Sequence, residues 1–235
     1  GLVGSEMCIR DSHRVVPGKP LPPAMLEENP DDVRAGAENL RKHIEIVRSF
    51  GVSPVVAINV FHTDFESEHA VIREVAEAAG ARVALSTHVV DGGPGAQALA
   101  QAVAEACEDR SEFRPTYEMS DPLVTKIEKV ATQIYGADGI SLSPQAKKDL
   151  KRFEELGYGH LPVVIAKTHL SISSDPKLRG APTGWTLPVR EVRAAVGAGY
   201  VYAICGDMRT MPGLGQTPAA QRIDIDENGN VHGLF

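Results

Sequence analysis

Residues 161–214, LPVVIAKTHLSISSDPKLRGAPTGWTLPVREVRAAVGAGYVYAICGDMRTMPGL, place a loop rich in hydroxyl side chains between two short apolar runs. The runs at 161–166 and 200–205 are too short for helices, which predicts two buried strands. Three polar residues follow the first run directly: Lys167, Thr168 and His169. A plain scaffold segment would not need them there, so we interpret this stretch as the edge of a site.

The same kind of strand is predicted twice upstream. Apolar runs at 54–60 (PVVAINV) and 82–86 (RVALS) begin about thirty residues apart, the spacing of a βαβ unit. A helix is predicted before the first run, ended by Gly51, from apolar residues at helical spacing: Val33, Ala37, Leu40, Ile44 and Val47. The alternation predicts an α/β fold with mainly parallel sheets flanked by helices, as Rossmann-like units.

Composition changes divide the chain into three expected parts. Residues 1–12 lack the basic and long apolar regions of a secretory signal and resemble translated sequencing-adapter read-through, so we expect a non-native leader. Residues 13–110 are expected to form an α/β substrate-side domain or subdomain. Residues 111–235 are expected to form a C-terminal α/β domain, because 108–120 are polar and irregular.

Local signals predict where several elements begin. Thr63 and Glu66 have the spacing of a capping box. The pairs at 121–122 and 143–144 predict helices that start with a capping side chain and a proline. Pro188 predicts an edge or irregular strand, and the pair at 228–229 predicts a hairpin turn.

Composition excludes several classes of function. The net charge of −7 argues against a nucleic-acid partner, and no apolar run is long enough to span a bilayer. The three cysteines form no CxxC pair, so neither a zinc site nor a disulfide framework is predicted, and reduced thiols in a cytoplasmic protein are expected. No metal ligands are assigned.

Two loops leave alternatives open. Phe61 follows a predicted strand at its carboxyl end, where it could stack on a ligand or simply pack. The GGPG sequence at 92–95 lacks the spacing of a dinucleotide-binding loop and the ending of a P-loop. A loop that leads into a helix is therefore favoured over a phosphate site.

The chain from about residue 17 to its end resembles the C-terminal part of formate–tetrahydrofolate ligase. The resemblance rests on stretches in a common order: PGKPLP (17–22), NLRKHIE (39–45), AINVFHTD (57–64), IYGAD (134–138), FEELGYG (153–159), AKTHLS (166–171), DPKLRGAPTG (175–184), GAGYVY (197–202), TMPGL (210–214) and GLF (233–235).

The resemblance implies a carbon–nitrogen ligase of one-carbon metabolism. ATP with Mg activates formate as formyl phosphate, and the N10 amine of tetrahydrofolate attacks it to give 10-formyltetrahydrofolate. The activation is needed because hydroxide is a poor leaving group and phosphate a good one. The family also implies a larger protein with a P-loop-type nucleotide domain, assembled as a homo-oligomer.

The chain departs from the family pattern in two ways. It contains no GxxxxGK[ST] sequence, so the ATP site is expected to lie mostly outside it, and we expect this chain alone to be inactive. The family also implies an aromatic pair that sandwiches the pterin ring. Phe61 matches the first position, whereas the second, commonly Trp, is Val89. Leu85 matches a position near the nucleotide base.

The resemblance also implies a substrate-proximal role for the AKTH segment, Lys167, Thr168 and His169. From the residues alone, Lys167 could face a glutamate tail or a phosphate, or could be a salt-bridged loop lysine. Two other interpretations of the chain stay open. It could be the end of a multifunctional dehydrogenase, cyclohydrolase and ligase, or a non-catalytic folate-binding or assembly module.

Overall fold

A computed structural model describes residues 2–3, 27–61, 64–168, 171–206, 217–227 and 231–232. Its strands are β1 (Leu2–Val3), β2 (Val55–Asn59), β3 (Arg82–Ser86), β4 (Gly139–Leu142), β5 (Val163–Ala166), β6 (Thr186–Ala195), β7 (Tyr200–Cys205), β8 (Asp224–Ile225) and β9 (Val231–His232). Its α-helices are α1 (Pro30–Gly36), α2 (Glu38–Ser49), α3 (Glu66–Ala78), α4 (His88–Asp91), α5 (Gln97–Cys107), α6 (Leu123–Lys129) and α7 (Pro144–Glu155). No helix in this part of the chain could cross a membrane.

The first sheet is parallel, in the order β1-β2-β3. The register pairs Ile58 with Leu85 and Asn59 with Ser86, so β2 and β3 end at the same edge. A hydrophobic core of residues from α1, α2, β2 and α3 covers this sheet, with Ile58 and Ile72 fully buried. The predicted βαβ unit is confirmed.

The second sheet has the order β4-β6-β7-β5 and consists of two parallel pairs joined through an antiparallel one. Its core contains residues of α6 and α7, with Leu123, Ile127 and Leu187 fully buried. The chain is thus α/β with mainly parallel strands flanked by helices, as expected. The antiparallel contact between β6 and β7 was not expected.

The prediction of an edge or irregular strand at Pro188 is wrong for the edge and confirmed for the irregularity. It forms β6, the ten-residue strand that pairs with β4 on one side and β7 on the other. Pairing with β7 begins at Val189 and is followed by a register shift before Glu191. Because Pro188 precedes that pairing, its missing N–H removes no hydrogen bond to β7.

Several element boundaries differ from the prediction. The helix predicted over residues 33–47 is divided at Ala37, although four of its five apolar residues, Val33, Ala37, Leu40 and Ile44, share one core. The capping box is wrong: α3 starts after Phe65, which makes Glu66 its first residue, and Thr63 lies outside the described residues.

Of the two helix starts predicted from a capping side chain and a proline, one is confirmed. Ser143 caps α7, where its hydroxyl accepts the Ala146 N–H at 3.0 Å. Asp121 does not cap α6, because its carboxylate accepts from the Glu118 N–H and Lys129 instead. Glu154 of α7 accepts the first free N–H of α6, from Leu123, at 2.7 Å.

The C-terminal strands β8 and β9 pair antiparallel, which confirms the predicted hairpin pairing. Residues 228–230, where its turn is predicted, lie outside the described residues, as does most of the expected leader.

Candidate functional site

Three exposed apolar side chains lie along the carboxyl edge of the first sheet. Phe61 follows β2 and is 46% exposed, and Leu85 near the end of β3 is 40% exposed. Val89 in α4, directly after β3, is 69% exposed. This is the edge at which α/β sheets bind their ligands. Because β2 and β3 end at the same edge, these three predicted site residues lie on adjoining segments there. Their role in binding a flat ring stays a prediction.

Two hydrogen bonds with Asp64 hold the backbone of Phe61. The Asp64 N–H donates to the Phe61 carbonyl at 3.0 Å, and the Phe61 N–H donates to Asp64 Oδ2 at 3.1 Å. His69 Nε2 lies 2.9 Å from the same carboxylate oxygen. The Asp64 side chain is only 2% exposed. Sequence reasoning assigned no role to Asp64 or His69, because nothing in their spacing signals a contact between a loop and a helix.

The loop after β3 is folded tightly on itself. Ser86 Oγ lies 2.8 Å from His88 Nδ1, and the Thr87 hydroxyl donates to Asp91 at 2.6 Å. At Gly95 a Cβ would stand 2.6 Å from Thr87 Oγ1, so only glycine permits this approach. Residues Gly93–Ala96 form a 3₁₀ turn that leads into α5, which confirms the loop-into-helix interpretation.

Lys167 lies at the other sheet, directly after β5. Its ammonium donates to three carbonyl oxygens of its own loop, those of Thr168 at 3.1 Å, Ser171, and Ser173 at 3.1 Å. An ammonium carries three protons, so these contacts use its full donor capacity in this conformation. Burial lowers the pKa of Lys167 to about 8. The assignment of Lys167 and Thr168 to a substrate stays a prediction, and His169 lies outside the described residues.

A π-helix directly precedes Tyr135, whose ring contacts the Lys167 ammonium. Residues Val130–Ile134 continue α6 with wider turns, and the Tyr135 N–H donates to the Val130 carbonyl at 3.3 Å. Lys167 Nζ lies 4.8 Å from the centre of the Tyr135 ring, a cation–π contact. π-Bulges are frequent at functional sites, and this one was not signalled by the sequence.

Two observations bear on ligands. The Oδ1 atom of Asn59, at the end of β2, is buried and has no hydrogen-bond partner among the described residues. No group of three or more His, Cys, Asp or Glu in the described ranges could hold a metal ion.

Known proteins of one family match nearly the whole length of this chain. A family model described as formate–tetrahydrofolate ligase matches residues 13–235. The formate–tetrahydrofolate ligase of Cutibacterium acnes is 70% identical over 223 residues, which are 95% of this chain and 40% of that protein. The Saccharopolyspora erythraea protein of the same name is 64% identical over 222 residues, 94% of this chain and 39% of that protein. The Roseiflexus sp. protein of that name is 52% identical over 94% of this chain and 40% of its own length.

The chain thus spans about two fifths of the length of these curated relatives. The extent of the family match and the identities leave one conclusion: this chain belongs to the formate–tetrahydrofolate ligase family.

Proposed function

We propose that the chain forms the tetrahydrofolate-binding side of a cytoplasmic, ATP-dependent ligase that joins formate to tetrahydrofolate. The observation that carries this proposal is the exposure of Phe61, Leu85 and Val89, which lie at or just after the carboxyl ends of the paired strands β2 and β3. The relatives' names supply the reaction, since each is a formate–tetrahydrofolate ligase.

The chemistry that we propose for the complete ligase proceeds through formyl phosphate. The N10 amine of tetrahydrofolate attacks the formyl carbon, a C–N bond forms, and the bond from carbon to the phosphate oxygen breaks with phosphate taking the electron pair. The amine proton passes to solvent or a base. This chain's part is to bind and orient the ring system that carries the amine, which raises the rate by positioning.

We propose further that the chain alone does not turn over. Its sequence contains no GxxxxGK[ST] loop, and Gly95 of the GGPG segment packs against Thr87. Phosphoryl transfer depends on metal and positively charged groups around the transferred phosphate. ATP and formate are therefore assigned to residues that this chain does not supply.

Calorimetry on the whole chain tests the proposal. We expect tetrahydrofolate to bind, Phe61→Ala to weaken binding by about tenfold through lost stacking and burial, and Phe113→Ala to change nothing. Phe113 is a matched control because it is 69% exposed and stacks on Phe50. Equal affinities of Phe61→Ala and wild type would contradict the ring site.

A second assay tests inactivity. With ATP, Mg, formate and tetrahydrofolate present, we expect no 10-formyltetrahydrofolate from this chain. Turnover comparable to that of the 70% identical Cutibacterium acnes ligase would contradict this part of the proposal.

A further inference from the structure

One residue, Asp64, binds both backbone polar groups of Phe61. Asp64 donates its N–H to the Phe61 carbonyl and accepts the Phe61 N–H through its carboxylate, at 3.0 and 3.1 Å. Both backbone polar groups of Phe61 are therefore bound to Asp64. These two bonds restrain the backbone dihedrals that set the direction of the ring.

The carboxylate that does this is buried. The Asp64 side chain is 2% exposed, and the His69 side chain beside it in the first turn of α3 is 12% exposed. Burying a carboxylate is unfavourable unless it has partners, and His69 Nε2 at 2.9 Å is one of them. By contrast, the Phe61 ring that the pair supports is 46% exposed.

Stability alone does not explain why a buried Asp64–His69 pair supports an exposed Phe61 ring. A buried polar pair is weak grounds for stability, because desolvation offsets much of the attraction. An exposed phenyl ring also contributes little to a core. The pair is explained if the ring must keep one orientation at the carboxyl edge of β2, since a rigid contact loses less conformational entropy when a ligand binds.

We infer that Asp64 and His69 are positioning residues that hold Phe61 for a ring-shaped ligand, and this inference rests on the proposed function, in which that ligand is tetrahydrofolate. They act through Phe61 and do not contact the ligand. Their removal lowers affinity only while the ring of Phe61 is present to be positioned.

A double-mutant cycle tests this inference, with tetrahydrofolate binding to the whole chain measured by calorimetry. We expect Asp64→Ala and His69→Leu to weaken binding about three- to tenfold, in line with the entropy of one immobilised side chain. His69→Gln, which keeps a donor, should stay within about twofold of wild type. In a Phe61→Leu background, Asp64→Ala should cause no further loss.

Full additivity of Asp64→Ala and Phe61→Leu would overturn the inference, because the two residues would then act independently. The matched control is Glu74→Gln, which breaks the exposed ion pair with Arg34 on the same helix α3 and should leave affinity unchanged. Thermal melts of each variant identify any that fails to fold, and the His69→Gln and His69→Leu pair then decides the outcome.

Amide hydrogen exchange separates this inference from the proposed function. Asp64→Ala should raise exchange of the Phe61 amide at least about tenfold, because its acceptor is gone, whereas exchange of Ala57 within β2 should not change. If wild type does not bind tetrahydrofolate, the proposed function fails. The exchange of the Phe61 amide still tests whether Asp64 positions Phe61. Unchanged exchange at Phe61 would overturn the inference.

Discussion

Lys126 shows how a charged side chain can belong to a core. It is 0% exposed, and its ammonium donates to the carbonyls of Gly159 at 2.7 Å and Leu161 at 3.0 Å, just before β5. Burial lowers the pKa of this ammonium, because water no longer stabilises the charge. Lys126 therefore links α6 to the segment that enters the second sheet.

We predict that Lys126→Met lowers the free energy of unfolding by about 2 kcal/mol, because two carbonyls lose their donor. Urea denaturation monitored by circular dichroism measures the change. The control on the same helix is Lys129→Met, which removes a partly exposed ion pair with Asp121 and should change stability by less than about 1 kcal/mol. Equal losses in the two variants would show that the carbonyl contacts do not contribute.

Val89 gives a prediction about affinity. A tryptophan there would offer the proposed ligand a second aromatic face, worth about 1 kcal/mol or roughly fivefold in affinity. We therefore expect Val89→Trp to tighten tetrahydrofolate binding by about that factor in calorimetry. Val90→Trp is the matched control, because Val90 is the neighbouring residue and is 82% exposed. If both substitutions change affinity equally, the stacking argument is wrong.

At the scale of elements, an ion pair joins the start of β3 to Asp109, two residues after the end of α5. Arg82 donates through both terminal nitrogens to Asp109, at 2.5 and 2.9 Å. The hydrogen bond from Arg82, followed by one from Ser53, lowers the pKa of Asp109 to about 2. The Asp109 carboxyl group therefore binds its proton less tightly in the folded protein than in the unfolded chain.

The resulting pH dependence has a definite sign. The stability from this pair is fully present above the unfolded pKa of Asp109, near 4, and is lost as the pH falls towards 2. We expect the stability difference between wild type and Asp109→Asn to be largest above pH 4 and to shrink towards pH 2. Urea midpoints across this range measure it. Arg82→Met should show the same narrowing, and a constant difference at every pH would contradict the assignment.

Elements were predictable from sequence where local signals and packing agree. Three such signals each depend on only a few neighbouring residues: the apolar run of β2, the proline after the Ser143 cap and the positive φ of Gly51. By contrast, the position of β6 inside its sheet was not predicted, because a proline usually indicates an edge strand. The sequence pattern does not show that pairing with β7 begins only after Pro188. The π-helix before Tyr135 likewise follows from no local pattern.

The candidate site was predictable only in part for the same reason. The position of Phe61 follows from the end of a strand, but the Asp64–His69 contact joins a loop to a helix turn. Lys167 was expected to face a substrate or an acid. Its actual partners are backbone carbonyls, whose positions depend on the complete fold of the loop.

At the scale of the whole molecule, two separate hydrophobic cores suggest two folding units. We propose that the expected division at residue 110 falls slightly later, at Pro115. The amides of Glu112 and Arg114 donate to the carbonyls of Gly51 and Phe50 in the first unit, at 3.1 and 3.0 Å.

Matched core truncations test the two units. Ile72 in the first core and Leu187 in the second are both 0% exposed, so truncation of either to Ala should cost about 2–5 kcal/mol. We expect Ile72→Ala to raise amide hydrogen exchange mainly in residues 27–114 and Leu187→Ala mainly in residues 115–206. If either substitution raised exchange equally in both ranges, the two cores would form one cooperative unit.

The second sheet also has a consequence for biosynthesis. Strands β6 and β7 are joined by a short turn and pair Ala195 with Tyr200, so they can meet as soon as both are made. The outer strands β4 and β5 are translated earlier, yet among the described strands β4 pairs only with β6 and β5 only with β7. If a ribosome pauses before residue 186, β4 and β5 are made but lack their pairing strands. Their unpaired edges are then accessible to chaperones or to neighbouring nascent chains.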